Sequence, residues 1–406
     1  MQGEDEDLGG PSALAPFATV TTDVFEPKSV EELTDAVRST GDRAIATVGC
    51  GTKLGLGNPA EREDIVLSTR GLDRIVDYTP EDQVVVVEAG MTLHALQTEL
   101  AEHGQRLAIE SLAGDDVTIG GMLATNAYGP SALRYGTLKD LIVGVELVRA
   151  DGVVARAGGK VVKNVAGFDV SKLIVGSLGT LAIITKATFR VHPLPESVRR
   201  LAFSARIDDV FPFVLALREA QLEPSSVVVR LGAADAEATI EVVFEGFGPG
   251  VDAQSAASEH VASRTSGVTL SAAPGWREVE GQRSYGFKAT FPPTEFARIA
   301  REIKVEALAF PSLGVMYFGG PSTSDAHSAS YAEDDTSGQS LDRALTLREM
   351  FESLGGTLVV QHMPQEWRGK IDAWGTPPPA FKLMRALKDR FDPERRLNPG
   401  RFVGGL

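Results

Sequence analysis

The chain has 406 residues, 43% of them apolar and 23% charged. That excludes a mostly disordered polymer and points to two domains, because one hydrophobic core seldom outgrows roughly 250–300 residues. Lys and Arg number 40 against 55 Asp and Glu, a net charge of −15, and an acidic chain with no basic block argues against nucleic acid and anionic membrane as partners.

The acidic opening MQGEDEDLGG is unlike a signal peptide, and residues 1–22 read as a loose arm. Ser29 and Glu32 have capping-box spacing, and Val30, Leu33 and Val37 follow at helical spacing until Gly41. Strand character then appears at Ala44–Val48, Ile65–Ser68 and Val84–Glu88. The unbroken valine run in the last of these suggests burial on both faces. Leu93, Leu96 and Leu100 predict a helix closed by Gly104. Leu141–Arg149 and Val153–Ala157 flank Ala150-Asp151-Gly152 and predict a hairpin. Leu181–Val191 predicts a strand, and His192-Pro193-Leu194-Pro195 closes the unit.

Composition changes there. Residues 201–375 mix helical (Phe211–Ala220, Leu341–Leu354) and strand (Val227–Leu231, Thr239–Phe244) patterns, with 321–340 reading as an exposed loop. A helix over Pro379–Phe391 and a Leu397-Asn398-Pro399-Gly400-Arg401 turn finish the chain.

The 42 glycines cluster. Val48-Gly49-Cys50-Gly51-Thr52-Lys53-Leu54-Gly55 follows a strand. Glycine admits positive φ and close backbone approach, and consecutive N–H groups in such a loop make a nest for phosphate. The spacing is neither G-x-G-x-x-G nor G-x-x-x-x-G-K-[ST], which disfavours a nicotinamide-binding reductase. Read alone, the loop could equally be a strand-ending turn. In Thr118-Ile119-Gly120-Gly121 through Thr125-Asn126, small residues let a flat ring or pyrophosphate lie on the backbone, with Thr and Asn as hydrogen-bonding groups. Gly176-Ser177-Leu178-Gly179-Thr180 is a tight turn into the next strand.

The order of these segments resembles the FAD-binding domain of the vanillyl-alcohol oxidase and p-cresol methylhydroxylase family. The run from Gly158 to Leu173 and the tail from Leu387 to Phe402 are similar to the FAD-binding subunits of glycolate oxidases. The resemblance covers about 25–195 and 380–402 and is loose over 200–375. It implies an α+β, two-lobed FAD-binding domain over 23–200, an α+β cap over 201–375, and a segment 376–406 that returns to the FAD domain. It further implies that Gly49, Cys50, Gly51 and Thr52 cradle the FAD phosphates. Thr118, Gly120, Gly121, Thr125 and Asn126 would contact the diphosphate, ribityl chain or ring. Tyr135, Gly136 and Asp140 match the segment that follows, and Gly176, Gly179, Thr180 and Ile183 the one around the adenosine half. Val48 stands where many relatives have Arg or Lys, and Phe168 where Tyr is expected.

Other candidates have plain alternatives. Cys50, the single cysteine, reads as a small filler rather than a reactive thiol, and it excludes an intrachain disulfide. Lys163 and Asn164 lie near the flavin or are surface groups. His362 faces substrate or is simply hydrogen-bonded in place, and Arg277 and Arg283 could bind a carboxylate or be solvated. Trp276, Trp367 and Trp374 read as core or interface anchors. The six histidines show no metal-ligand pair and the catalytic relatives' H-x-G-D-G-N-x-H stretch is missing, so no metal is expected and the catalytic residue is left unassigned.

The resulting expectation is non-covalent FAD in the FAD-binding subunit of a glycolate oxidase-like complex that acts on a small 2-hydroxy acid. Its partners would be a larger flavin subunit and an iron–sulfur subunit. A stand-alone FAD-dependent 2-hydroxy-acid dehydrogenase and a catalytically silent assembly subunit are the alternatives. The expected location is cytoplasmic, without direct membrane insertion, any membrane association coming through the partners.

Overall fold

In the computed structural model, residues 23–159, 169–233, 237–272, 275–276, 286–319 and 341–406 are described. The arm 1–22, the Lys163-Asn164 stretch with Phe168, Arg277, Arg283 and the loop 321–340 lie outside them.

Ser29 caps the helix Val30–Ser39, its hydroxyl accepting from Glu32 N. Leu33 and Val37 bury the inner face of that helix. They cover a parallel three-stranded sheet in the order Asp23–Phe25, Ile65–Ser68, Ile45–Val48. A second, antiparallel sheet of five strands runs Ile75–Thr79, Val84–Glu88, Ile183–Arg190, Ile142–Val148, Val154–Gly158. The valine run is internal to it, and Val85 and Val87 pack on Leu93, Leu96 and Leu100 of the following helix. The predicted hairpin is present, with Gly144 opposite Gly158.

The cap is an antiparallel sheet of eight strands, in the order Val268–Ser271, Ser197–Arg206, Glu237–Gly246, Ser226–Leu231, Ala307–Phe310, Val315–Phe318, Phe287–Thr290, Thr357–Val360. It begins at Ser197, a few residues before the composition change. Side chains alternate across a strand. One face carries Phe203, Val229, Ile240, Ala289 and Phe318 into a core with Phe213, Val251, Ile299 and Phe351 of the covering helices. The opposite face, with Val228, Leu308, Phe310 and Tyr317, receives Leu112 of the other lobe. The tryptophans are anchors: Trp367 lies in the first of these clusters, Trp276 in the second, and the Trp374 ring meets Phe402.

An ion pair crosses the junction. Arg106 donates to Glu245 Oε1 at 2.6 Å and to the Tyr135 hydroxyl at 3.1 Å, while Arg134 donates to the Glu245 carbonyl at 2.8 Å.

The tail does return to the FAD lobe. Leu397 bridges Ile45 in parallel. Arg396 donates to the carbonyls of Ala150 at 2.7 Å and Val37 at 3.1 Å, and to the Thr40 hydroxyl. Lys388, 1% exposed, donates to Asp392 at 2.7 Å, Thr180 O at 2.7 Å and Leu397 O at 3.0 Å. Asp392 in turn accepts from Arg396 N and Leu397 N.

Removing one member of a buried pair strands the other charge. Asp392→Ala is therefore expected to cost about 3–5 kcal/mol, measured as the shift of the urea unfolding curve. A loss below about 1 kcal/mol would show that the ammonium reaches water instead.

Candidate functional site: a glycine-lined cleft beneath the cap

Three chain segments converge on one cleft. The loop after Ile45–Val48 contributes Gly49, Cys50, Gly51, Thr52 and Lys53. The turn and short helix beyond Val117 contribute Thr118, Gly120, Gly121 and Thr125, and the strand entry contributes Gly179 and Ile183. A Cβ on Gly49 would stand 2.0 Å from Thr118 Oγ1, so the first two segments touch only because that residue is glycine. Thr118 caps Ile119–Thr125, accepting from Gly121 N at 3.2 Å, and Asn126 ends that helix in the left-handed region at φ 48°.

The remaining assigned residues do not line the cleft. Tyr135 stands at the lobe junction, edge-on to His192 with centroids 5.0 Å apart. Asp140 closes a capping box with Thr137, and a Cβ on Gly136 would lie 2.6 Å from that of Asp140. Thr180 donates to Ser177 O at 2.7 Å, and its carbonyl receives Lys388. A Cβ on Gly176 would lie 3.4 Å from that of Asn126.

The tail supplies two lining groups that the local pattern did not single out, Asn398 and Arg401. Asn398 Nδ2 donates to Leu178 O at 2.9 Å, while its Oδ1 is buried with no partner. Arg401 is 9% exposed and donates to the carbonyls of Leu54 at 2.5 Å and Leu56 at 2.7 Å, leaving its Nε unpartnered. A cation is thus present in a cleft whose leading residue, Val48, carries none. Cradling glycines, buried polar atoms lacking partners and one recessed guanidinium fit a flavin dinucleotide. Burial pushes the Cys50 thiol up, with Arg70 opposing and Asp116 adding to the shift, so Cys50 is a neutral thiol at pH 7 rather than a nucleophile.

Past the glycine loop, the cleft rim is basic. Burial, helped by the Lys288 charge, pulls Lys53 down to about 8. His362 Nδ1 would lie 2.9 Å from a Cβ on Gly55, and burial together with Lys53 pulls this imidazole down to about 4. No group of three or more His, Cys, Asp or Glu able to hold a metal occurs among the described residues. Nor is any helix among them long and apolar enough to cross a membrane.

A Cβ on Gly121 meets only Thr118 Oγ1, at 3.0 Å, so a large side chain there would enter the cleft. Gly121→Trp is expected to leave less than about a tenth of the wild-type flavin content with an unchanged circular dichroism spectrum. Arg401→Met should weaken FAD at least about tenfold in a fluorescence titration. Full flavin occupancy in the first variant would make the Gly120-Gly121 turn purely structural.

Comparison with known proteins agrees with this geometry. A family model described as an FAD binding domain matches residues 22–158. The chain is 30% identical to a D-2-hydroxyglutarate dehydrogenase of Xanthomonas citri pv. viticola, over 93% of this chain and 88% of the relative. It is 28% identical to a D-lactate dehydrogenase of Archaeoglobus fulgidus, over 98% and 94%. It is 25% identical to the glycolate oxidase subunit GlcD of Bacillus subtilis, over 96% and 90%. Among solved structures, an alkyldihydroxyacetonephosphate synthase shares the fold with a TM-score of 0.67 at 16% identity, over 93% of this chain and 77% of that one. With its glycine-lined cleft and two-lobed architecture, the chain belongs to the FAD-dependent 2-hydroxy-acid oxidoreductases built on the p-cresol methylhydroxylase type of FAD-binding fold.

Proposed function

We propose that this chain dehydrogenates a small 2-hydroxy acid, of the size of glycolate or D-lactate, in the space between the glycine cradle and the cap sheet. The observation that carries the reading is the pairing of Lys53 with His362 at the rim. Removing two electrons and two protons from a 2-hydroxy acid needs a cation for the carboxylate and an acceptor for the hydroxyl proton. Bound FAD supplies the acceptor for the electrons that leave the α-carbon. Lys53 offers the cation. Burial and the Lys53 charge pull His362 down to about 4, which favours a neutral imidazole at pH 7, and a neutral ring can take up the hydroxyl proton. The names of the Xanthomonas citri, Archaeoglobus fulgidus and Bacillus subtilis relatives support a 2-hydroxy acid as the substrate class.

A second reading rests on the single cysteine. A cysteine-ligated iron–sulfur cluster needs several thiolates, so electrons destined for such a cluster leave this chain. On that reading the flavin relays electrons within a glycolate oxidase-like complex, beside a larger flavin subunit and an iron–sulfur subunit. The complex would be cytoplasmic, reaching a membrane only through those partners. The name of the Bacillus subtilis relative, an oxidase subunit, favours it.

Anaerobic mixing of the purified, FAD-loaded chain with glycolate or D-lactate separates the two. Prompt bleaching of the flavin absorbance is the expected result. Bleaching that appears only when co-purifying subunits are restored supports the relay. In the same preparation, acid precipitation is expected to release all flavin into the supernatant, since the loop thiol is protonated and the loop carries no histidine. Flavin held in the pellet would mean a covalent bond.

A further inference from the structure

The glycine loop leaves the cleft through Gly55-Leu56-Gly57-Asn58. A Cβ on Gly57 would stand 2.6 Å from Arg401 O, so this limb lies directly on the tail. Asn58 N donates to the same carbonyl at 2.9 Å. The Asn58 side chain reaches further. Its Nδ2 donates to Asp372 Oδ2 at 3.0 Å and to Phe402 O at 3.3 Å, and its Oδ1 accepts from Ala373 N at 2.7 Å. Both amide hydrogens and the carbonyl oxygen are thus in use. Asp372 Oδ1 accepts from Trp374 N at 2.7 Å, which keeps the 372–374 segment in shape for this contact.

Ala373 passes the link on to the cap. It is buried in the cap core, and its carbonyl accepts from Val360 N at 2.8 Å. Val360 ends the strand Thr357–Val360, and His362 stands two residues beyond. On the other side, Gln361 N donates to Gly286 O at 2.8 Å. The strand end is therefore held within the cap by Gly286, and to the FAD lobe by Asn58 through Ala373. Contact between the lobes is close there. A Cβ on Gly55, three residues before Asn58, would lie 2.9 Å from His362 Nδ1 and 3.6 Å from Gln361 O.

We propose that Asn58 is a positioning residue, whose side chain holds His362 over the end of the glycine loop. This inference rests on the dehydrogenase reading above, in which His362 takes the hydroxyl proton, and it adds the device that fixes the acceptor in place. Asn58 does not itself line the cleft. It acts through Ala373 and Val360. An imidazole held in this way stays packed against the loop, where burial and the Lys53 charge keep it low. Releasing the strand end would admit water to the protonated ring and raise its titration toward the ordinary range.

The test follows the His362 Cε1–H signal by NMR in the FAD-loaded chain, identified by its loss in His362→Gln. In wild type the signal is expected to stay flat from about pH 8 down to about pH 5. In Asn58→Ala it should titrate with a midpoint between about 5 and 6.5. Flavin content should be unchanged, because Asn58 N and, at 3.0 Å, Trp374 Nε1 still hold the Arg401 carbonyl. Flavin reduction by saturating hydroxy acid should slow by about tenfold or more at acid pH, and its acid limb should move to higher pH.

A His362 signal that stays flat in Asn58→Ala overturns the proposal, whatever happens to the melting temperature, since a merely structural hydrogen bond would behave that way. A wild-type midpoint near about 6.5 overturns it as well, because the ring is then already hydrated. Should Asn58→Ala fail to fold, Asp372→Ala decides. Losing a carboxylate by itself lowers a nearby imidazole, so a raised midpoint reports release and a flat signal sinks the link. The titration needs no turnover, and the two readings therefore fail separately. Bleaching by a hydroxy acid with a flat signal in the variant sinks only the positioning role. A raised midpoint without bleaching by any hydroxy acid sinks only the dehydrogenase.

Discussion

An ammonium buried without water must be fully hydrogen-bonded, and Lys388 is. Its three partners are a carboxylate four residues on, the Leu397 carbonyl in the tail, and the Thr180 carbonyl beside the cleft. That requirement ties the last helix to the strand entry at Gly179-Thr180 and sets the tail down between the two sheets of the FAD lobe. Everything the tail contributes to the cleft follows from it. Asn398 and Arg401 reach the cofactor site because Arg396 and Leu397 are pinned on Ile45, Ala150 and Val37 just before them. Burying a pair of charges is weak evidence for net stability. Here it fixes a register on which a binding site depends.

The cleft is electrostatically unlike the rest of the molecule. A chain of net charge −15 places Lys53 and Arg401 in the lining of one recess. Such a recess suits the phosphates of a dinucleotide. Glu245 of the cap is held by Arg106 and, through its carbonyl, by Arg134. The cap also meets the FAD lobe where Leu112 packs against the Val228, Leu308 and Phe310 cluster.

Much of the FAD lobe could be read directly. Capping residues, a valine run and helical leucine spacing are local signals, and each produced the expected element. Tyr135, Gly136 and Asp140 show the limit of a segment-by-segment match. They follow the cleft-lining turn in sequence, yet they do not line the cleft; Tyr135 stands at the lobe junction and Asp140 closes a capping box. The cap was legible mainly at Val227–Leu231, Thr239–Phe244 and the helices. Its short strands Ala307–Phe310, Val315–Phe318 and Phe287–Thr290 carry too few residues for a period to show, and they become strands only through long-range pairing.

By itself, the sequence determined the glycine cradle, because positive φ and close backbone approach are demanded of individual residues wherever the chain goes. A sequence with one cysteine also cannot by itself supply the thiolates of a cysteine-ligated cluster. Which cations come together at the cleft was decided only in three dimensions. Arg401 is remote in sequence from Lys53 and from the loop it completes. A lysine's role depends on what surrounds its ammonium. Those surroundings exist only once the cap sheet is laid over the cleft.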